Sequence, residues 1–193
     1  QVEMLAAWLS KHGVAHERVR EPGGTAFGEE VRRLVLEGGE VPVRAELLLV
    51  LAARAALIEQ RIAPALAAGK VIVADRFDLS TLAYQGVGRE LGVDEVARLN
   101  RFATGDLTPD LTVYLDVPVS LGRARRGAWE EGDRIERAGR AFHERVAGAY
   151  ALLADQRTDI ERVDATAPAA SVHGTVLERL RARFPETFAR ATG

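Results

Sequence analysis

VIVADRFDLSTLAYQG, residues Val71–Gly86, joins two textures that rarely share a segment. Val71–Ala74 is strand material, short, aliphatic and β-branched. It stops at an acid and a base, Asp75 and Arg76, and runs on through Ser80, Thr81, Tyr84 and Gln85. Ligands of open α/β sheets bind beyond the carboxyl ends of the strands, and a buried strand that surfaces into charge and hydroxyls suits such an edge. The apolar runs Val14–Arg20, Leu111–Val117 and Ile160–Asp164 also end in polar chemistry: Arg20-Glu21-Pro22-Gly23-Gly24-Thr25, Asp116, and Asp164-Ala165-Thr166. Helical patterns fall near 26–37, 44–68, 78–88, 93–104, 118–126, 137–157 and 168–184. Strands separated by helices of this length predict right-handed crossovers and a mostly parallel sheet with helices on both faces, a three-layer α/β fold.

A length of 193 residues suits one domain, here expected over 1–184 with a tail at 185–193. The absence of cysteine excludes disulfides, thiolate zinc sites and a cysteine nucleophile, and four scattered histidines show no metal-ligand spacing. A net charge of −2 predicts no broad basic face, so nucleic acid is not an expected partner. The longest apolar run, Leu47–Ala53, is far short of the roughly 20 residues a bilayer span requires. No secretory signal opens the chain, and a cytoplasmic location is expected. Val2, Leu5, Trp8 and Leu9 already fall on one helical face closed by Gly13, so the chain reads as though entered in the middle.

Arg20–Arg33 (REPGGTAFGEEVRR) fits a strand leaving a sheet, a tight turn and a new helix. Pro22-Gly23-Gly24 lets backbone approach a ligand, and Arg32 is placed to point back at an anion; a simple turn with a solvated arginine is the alternative. Arg76 can grip phosphate in a bidentate way with Asp75 orienting the fork, or the two can form an ion pair capping the sheet. Tyr84 and Gln85 offer a ring edge and an amide, groups suited to a sugar and a base. Arg126–Arg137 (RGAWEEGDRIER) is either a solvated loop or a lid, about 126–137, whose arginines close over anionic groups.

Together these stretches resemble the thymidylate kinase family, within the P-loop nucleoside-monophosphate kinases. Arg20–Gly38, Asp75–Arg89 and Asp110–Pro118 carry the match, with GDRIE at Gly132–Glu136 and VDAT at Val163–Thr166. The resemblance implies a P-loop NTPase-like fold, homodimers, Mg²⁺, and transfer of the ATP γ-phosphoryl group to dTMP. Arg76 would contact the dTMP phosphate, with Asp75 near Mg²⁺ through water. Arg32 would be a second phosphate ligand, and Arg20 with Glu21 would shape the acceptor pocket. Arg54, Thr81 and Gln85 match base-contacting positions, and Tyr84 the ring near the sugar. Arg134 is the first choice for a lid arginine on the ATP phosphates, ahead of Arg123, Arg125 and Arg126, and Asp164-Ala165-Thr166 matches the loop beside adenine. Two positions depart from the family pattern. Val50 replaces an aromatic ring that stacks on thymine, a contact worth about 0.5–1.5 kcal/mol. No G-x-x-x-x-G-K-[ST] loop occurs, and the expectation is that about 15–20 further residues, a first strand and that loop, precede Gln1. Two rivals stay open: another nucleoside-monophosphate or deoxynucleoside kinase, and a non-catalytic nucleotide-binding module.

Overall fold

The computed structural model describes residues 1–126 and 132–188. Helix α1 (Val2–Lys11) leads through Gly13, at φ +69°, into β1 (His16–Arg20). Helices α2 (Ala26–Leu36) and α3 (Val43–Leu57) follow, and α3 continues through a π-helical turn, Ile58–Ile62, into α4 (Ala63–Ala67). Strand β2 (Val71–Asp75) comes next, then α5 (Asp78–Thr81), a second π-helical segment Leu82–Gly88, and α6 (Val93–Thr104). The rest of the described chain is β3 (Thr112–Asp116), α7 (Val119–Arg126), a 3₁₀ turn Glu136–Ala138, α8 (Arg140–Gln156), β4 (Ile160–Asp164), α9 (Ala169–Arg183) and α10 (Pro185–Phe188).

The four expected strands form within a residue or two of their predicted ends, and every pairing is parallel. They make two pairs, however, and no single ladder: β1 with β2, and β3 with β4. Register sets Arg20 opposite Asp75 and Asp116 opposite Asp164, so each pair delivers its polar ends at one level. Side chains alternate across the strands, as the pleat requires. On β3, Val113 and Leu115 pack into a cluster with Leu9, Val73, Val163 and Val176, whereas Tyr114 faces a cluster built on Leu47, Leu51, Leu82, Val96 and Leu153. Helices α1 and α9 thus cover one face, and α3, α6 and α8 the other.

Three local differences from the predicted pattern have physical causes. Pro64 has no N–H and its ring crowds the carbonyl one turn earlier, so the rod from 43 to 67 widens just before it. The helix expected from 137 is broken by Gly139 at φ +87°, and α8 starts at Arg140. Residues 185–188, expected as tail, instead form α10 and stack the Phe188 ring on Trp8 at 5.5 Å. Burying such a ring is worth about 1.5–3 kcal/mol, enough to hold one helical turn in place.

Candidate active site

The turn after β1 is fixed from both sides. Thr25 caps α2 by accepting from the Gly28 N–H at 2.9 Å. Glu29 reaches back to accept from the Gly24 N–H at 2.8 Å and pairs with Arg20 at the same distance. These donors, the Gly24 N–H first, hold the Glu29 carboxyl below its ordinary range. Arg32 donates to the Pro22 carbonyl at 3.0 Å, so it braces the turn beside which it was expected to bind phosphate. Gly24 is required: at φ +81°, a Cβ would also lie 2.7 Å from Leu57 Cδ1.

A buried polar seam runs between α3 and the 78–88 segment. Glu46, Val50 and Arg54 are spaced by four on α3, and Glu46 faces Gln85 across the seam. The Arg54 guanidinium, 2% exposed, donates through Nε to both Glu21 carboxylate oxygens at 3.0 and 2.8 Å, and through Nη1 to Asn100 Oδ1 at 2.5 Å. Burial pushes the Glu21 carboxyl up while Arg54 pulls it down. Gln85 donates Nε2 to Glu46 at 2.8 Å. Val50 packs with Val31, Val35 and Ala53, so it closes the α2–α3 contact.

Asp75 and Arg76 stand exposed at the end of β2. Arg76 holds φ +69°, a conformation few side-chain-bearing residues adopt and one found at functional sites. Its guanidinium lies 5.3 Å above the Tyr84 ring. Tyr84 meets Tyr150 edge-on at 6.2 Å, Tyr150 stacks on Tyr114 at 5.3 Å, and Tyr114 donates to Asp116 at 2.9 Å. All three tyrosines of the chain therefore link the end of β2 to the end of β3. Burial pushes the Tyr150 hydroxyl up to about 12, so it stays protonated beside Ser80, 2.7 Å away.

Beyond β4, Asp164 accepts from the Thr166 N–H at 2.8 Å, and Arg125 donates to the Ala165 and Thr166 carbonyls, both at 2.7 Å. Arg125 and Ala165 line a 370 Å³ cleft together with Leu115, Pro168 and Val172. Arg134 is placed elsewhere: its Nε donates to the Val35 carbonyl at 2.8 Å and its Nη2 to Glu46 at 2.6 Å. Arg123 and Arg126 fall on α7, but their side chains, like residues 127–131, lie outside the described residues. Among the described residues no group of three or more His, Asp or Glu side chains that could hold a metal ion forms.

Of the residues expected at the site, the structure brings Arg20, Glu21 and Arg32 to one turn and Arg76 over Tyr84, pairs Arg54 with Glu21 and Gln85 with Glu46, and buries Thr81. Asn100, Glu46, Tyr114 and Tyr150 join them without having been expected. Glu46 had a signal, an acid directly before the longest apolar run and four residues from Val50. Asn100 and Tyr150 had none, because only the packing of α6 and α8 brings them in.

Polar strand ends, a glycine turn opening a helix and an exposed arginine beside a buried polar slot define an α/β nucleotide-binding enzyme. The thymidylate kinase family model matches residues 1–176. The thymidylate kinase of Fervidobacterium nodosum is 42% identical over 178 residues, covering 92% of this chain and 89% of that protein. That of Synechococcus sp. strain JA-3-3Ab is 44% identical, covering 96% and 92%, and that of Pseudomonas putida strain F1 is 49% identical, covering 77% and 71%. The chain belongs to the thymidylate kinase family and is a kinase, and no helix among its described residues is long and apolar enough to cross a membrane.

Proposed function

We propose that this kinase transfers the γ-phosphoryl group of ATP to the 5′-phosphate of dTMP, giving dTDP and ADP. The observation that carries the reading is Arg76 at the surface end of β2 with its guanidinium over Tyr84, together with the buried Arg54, Thr81 and Gln85. A nucleotide with its base in the seam and its sugar against Tyr84 puts its phosphate at Arg76 and the Arg32 turn. An acceptor phosphate oxygen is already anionic, so it attacks phosphorus without a general base while the bond to the ADP oxygen breaks. Arg76 and Arg32 neutralise the charge that gathers there. The cleft lined by Arg125 and Ala165 takes the adenine. A lid arginine drawn from Arg134, Arg123 and Arg126 adds charge on closing, and Arg134 must leave Glu46 to do so. Mg²⁺ carried by ATP supplies further neutralisation, and Asp75, a single hard carboxylate at a strand end, suits its water shell.

The exposed Phe27, Leu34 and Leu48 on the packed helices α2 and α3 support a homodimer. A reaction fed by ATP and a free nucleotide fits the cytoplasm. The test is ADP release from Mg²⁺·ATP with dTMP, dUMP and GMP. Release dependent on dTMP and weaker with the others is expected, whereas turnover with GMP and none with dTMP overturns the reading.

A further inference from the structure

We propose that Glu46 is a positioning residue for base selection: it fixes the side-chain amide of Gln85 so that the acceptor Oε1 is what the seam offers the incoming base. The proposal rests on the reading that Gln85 meets the base of the acceptor nucleotide.

Glu46 is 1% exposed and Gln85 3%, so neither can trade its partner for water. Four donors fill the carboxylate. Oε1 accepts from Gln85 Nε2 at 2.8 Å and Arg89 Nε at 3.3 Å; Oε2 accepts from Arg89 Nη2 at 3.1 Å and Arg134 Nη2 at 2.6 Å. Burial pushes the Glu46 carboxyl up, but the bonds from Gln85, Arg134 and Arg89 outweigh it and hold the group below its ordinary range. It is therefore ionised, and an ionised carboxylate only accepts. The amide atom against it must be the NH₂, which settles the orientation of Gln85 by chemistry. With one Nε2 proton held on Glu46 the amide cannot flip, so its only acceptor, Oε1, is fixed in place while the second N–H remains beside it.

An acceptor at this place matches the N3–H of thymine or uracil. Cytosine presents a bare N3 lone pair there, and two acceptors facing each other without a proton in a dry site are costly. Glu46 thus selects against cytosine without touching the base, and it does not distinguish thymine from uracil. Arg89, which donates to both carboxylate oxygens, keeps the group charged when Arg134 leaves on lid closure.

The experiment measures dTMP and dCMP affinities by calorimetry, which needs no donor nucleotide. The unaltered protein is expected to prefer dTMP. Glu46→Gln keeps the shape but presents either an oxygen or an NH₂ to Gln85, so the preference should fall at least about tenfold. Glu46→Asp keeps the charge and should retain the preference even if both affinities drop, a split that a merely structural loss does not produce. A ratio unchanged in Glu46→Gln, or lost equally in both variants, overturns the proposal while leaving the function intact. If the unaltered protein binds no dTMP, the function fails and the proposal with it. Should Glu46→Gln not fold, labelled glutamine in the unaltered protein decides. On adding dTMP the Gln85 carbonyl resonance should move while its amide protons stay protected; movement confined to the amide protons overturns the proposal.

Discussion

Arg20 and Glu21 are neighbours at the end of β1, yet each enters an arginine–glutamate pair of a different kind. Arg20 meets Glu29 at 2.8 Å with the two side chains 54% and 42% exposed. Glu21 meets Arg54 with the side chains 4% and 1% exposed. In water, the first pair gains little and exchanges partners freely. The second has lost its hydration, and only mutual contact and the further bond to Asn100 compensate. The seam is therefore assembled in advance and holds one shape. The strand edge keeps its cations hydrated and open to an anion. A nucleotide needs both, a rigid slot for the base and free charge for the phosphate.

The strongest way to break this comparison is at Arg76. Arg76→Ala should lower turnover about 10³-fold or more, the scale on which an arginine at a transferring phosphoryl group acts. Its stability should fall by no more than about 1 kcal/mol, the scale of the cation–π contact with Tyr84 that is lost, since alanine inherits the same positive φ. Near-normal turnover would make the edge ordinary surface. At the seam, Arg54→Met should act the opposite way, on stability. Glu21 and Asn100 would be left buried without their donor, at a cost of about 3–5 kcal/mol in urea denaturation. A loss below about 1 kcal/mol would mean that water reaches the seam and that it is not pre-assembled.

The same division explains what the sequence could disclose. Strand ends are legible because a change from apolar to charged residues is local, and so β1 to β4 and the Asp75-Arg76 edge could be read from it. The α2 turn was legible through Pro22-Gly23-Gly24 and the capping Thr25. Pairing inside the seam is not local. Arg54 finds Glu21 across 33 residues and Asn100 across 46, and nothing in either segment encodes the distance. Gln85 was read as a base contact, but its bond to Glu46 depends on how the π-helical turn at Leu82–Gly88 rotates it toward α3. That turn is itself a packing outcome, since a Cβ on Gly88 would come 2.8 Å from Phe142 and Val146. Arg134 shows the limit most plainly. Its motif suggested a phosphate ligand, and its fold neighbours hold it on a carbonyl and a carboxylate.

The smallest expected effect sharpens the comparison most finely. Arg20→Ala removes one exposed arginine that meets its carboxylate through a single Nη2 contact at 2.8 Å, where the buried Arg54 grips Glu21 through both Nε and Nη2. Stability should fall by at most about 1 kcal/mol, and by less as salt is raised toward 1 M, where the screening length shrinks to about 3 Å. Glu29 keeps its bond from the Gly24 N–H, so the turn should survive with Arg32 still on the Pro22 carbonyl. Denaturation midpoints at low and high salt measure this directly. A loss approaching that of Arg54→Met, or one insensitive to salt, would show that the edge is as tightly pre-paired as the seam. An anion would then have to break an ion pair to bind, and the phosphate role of this edge would fall to Arg76 alone.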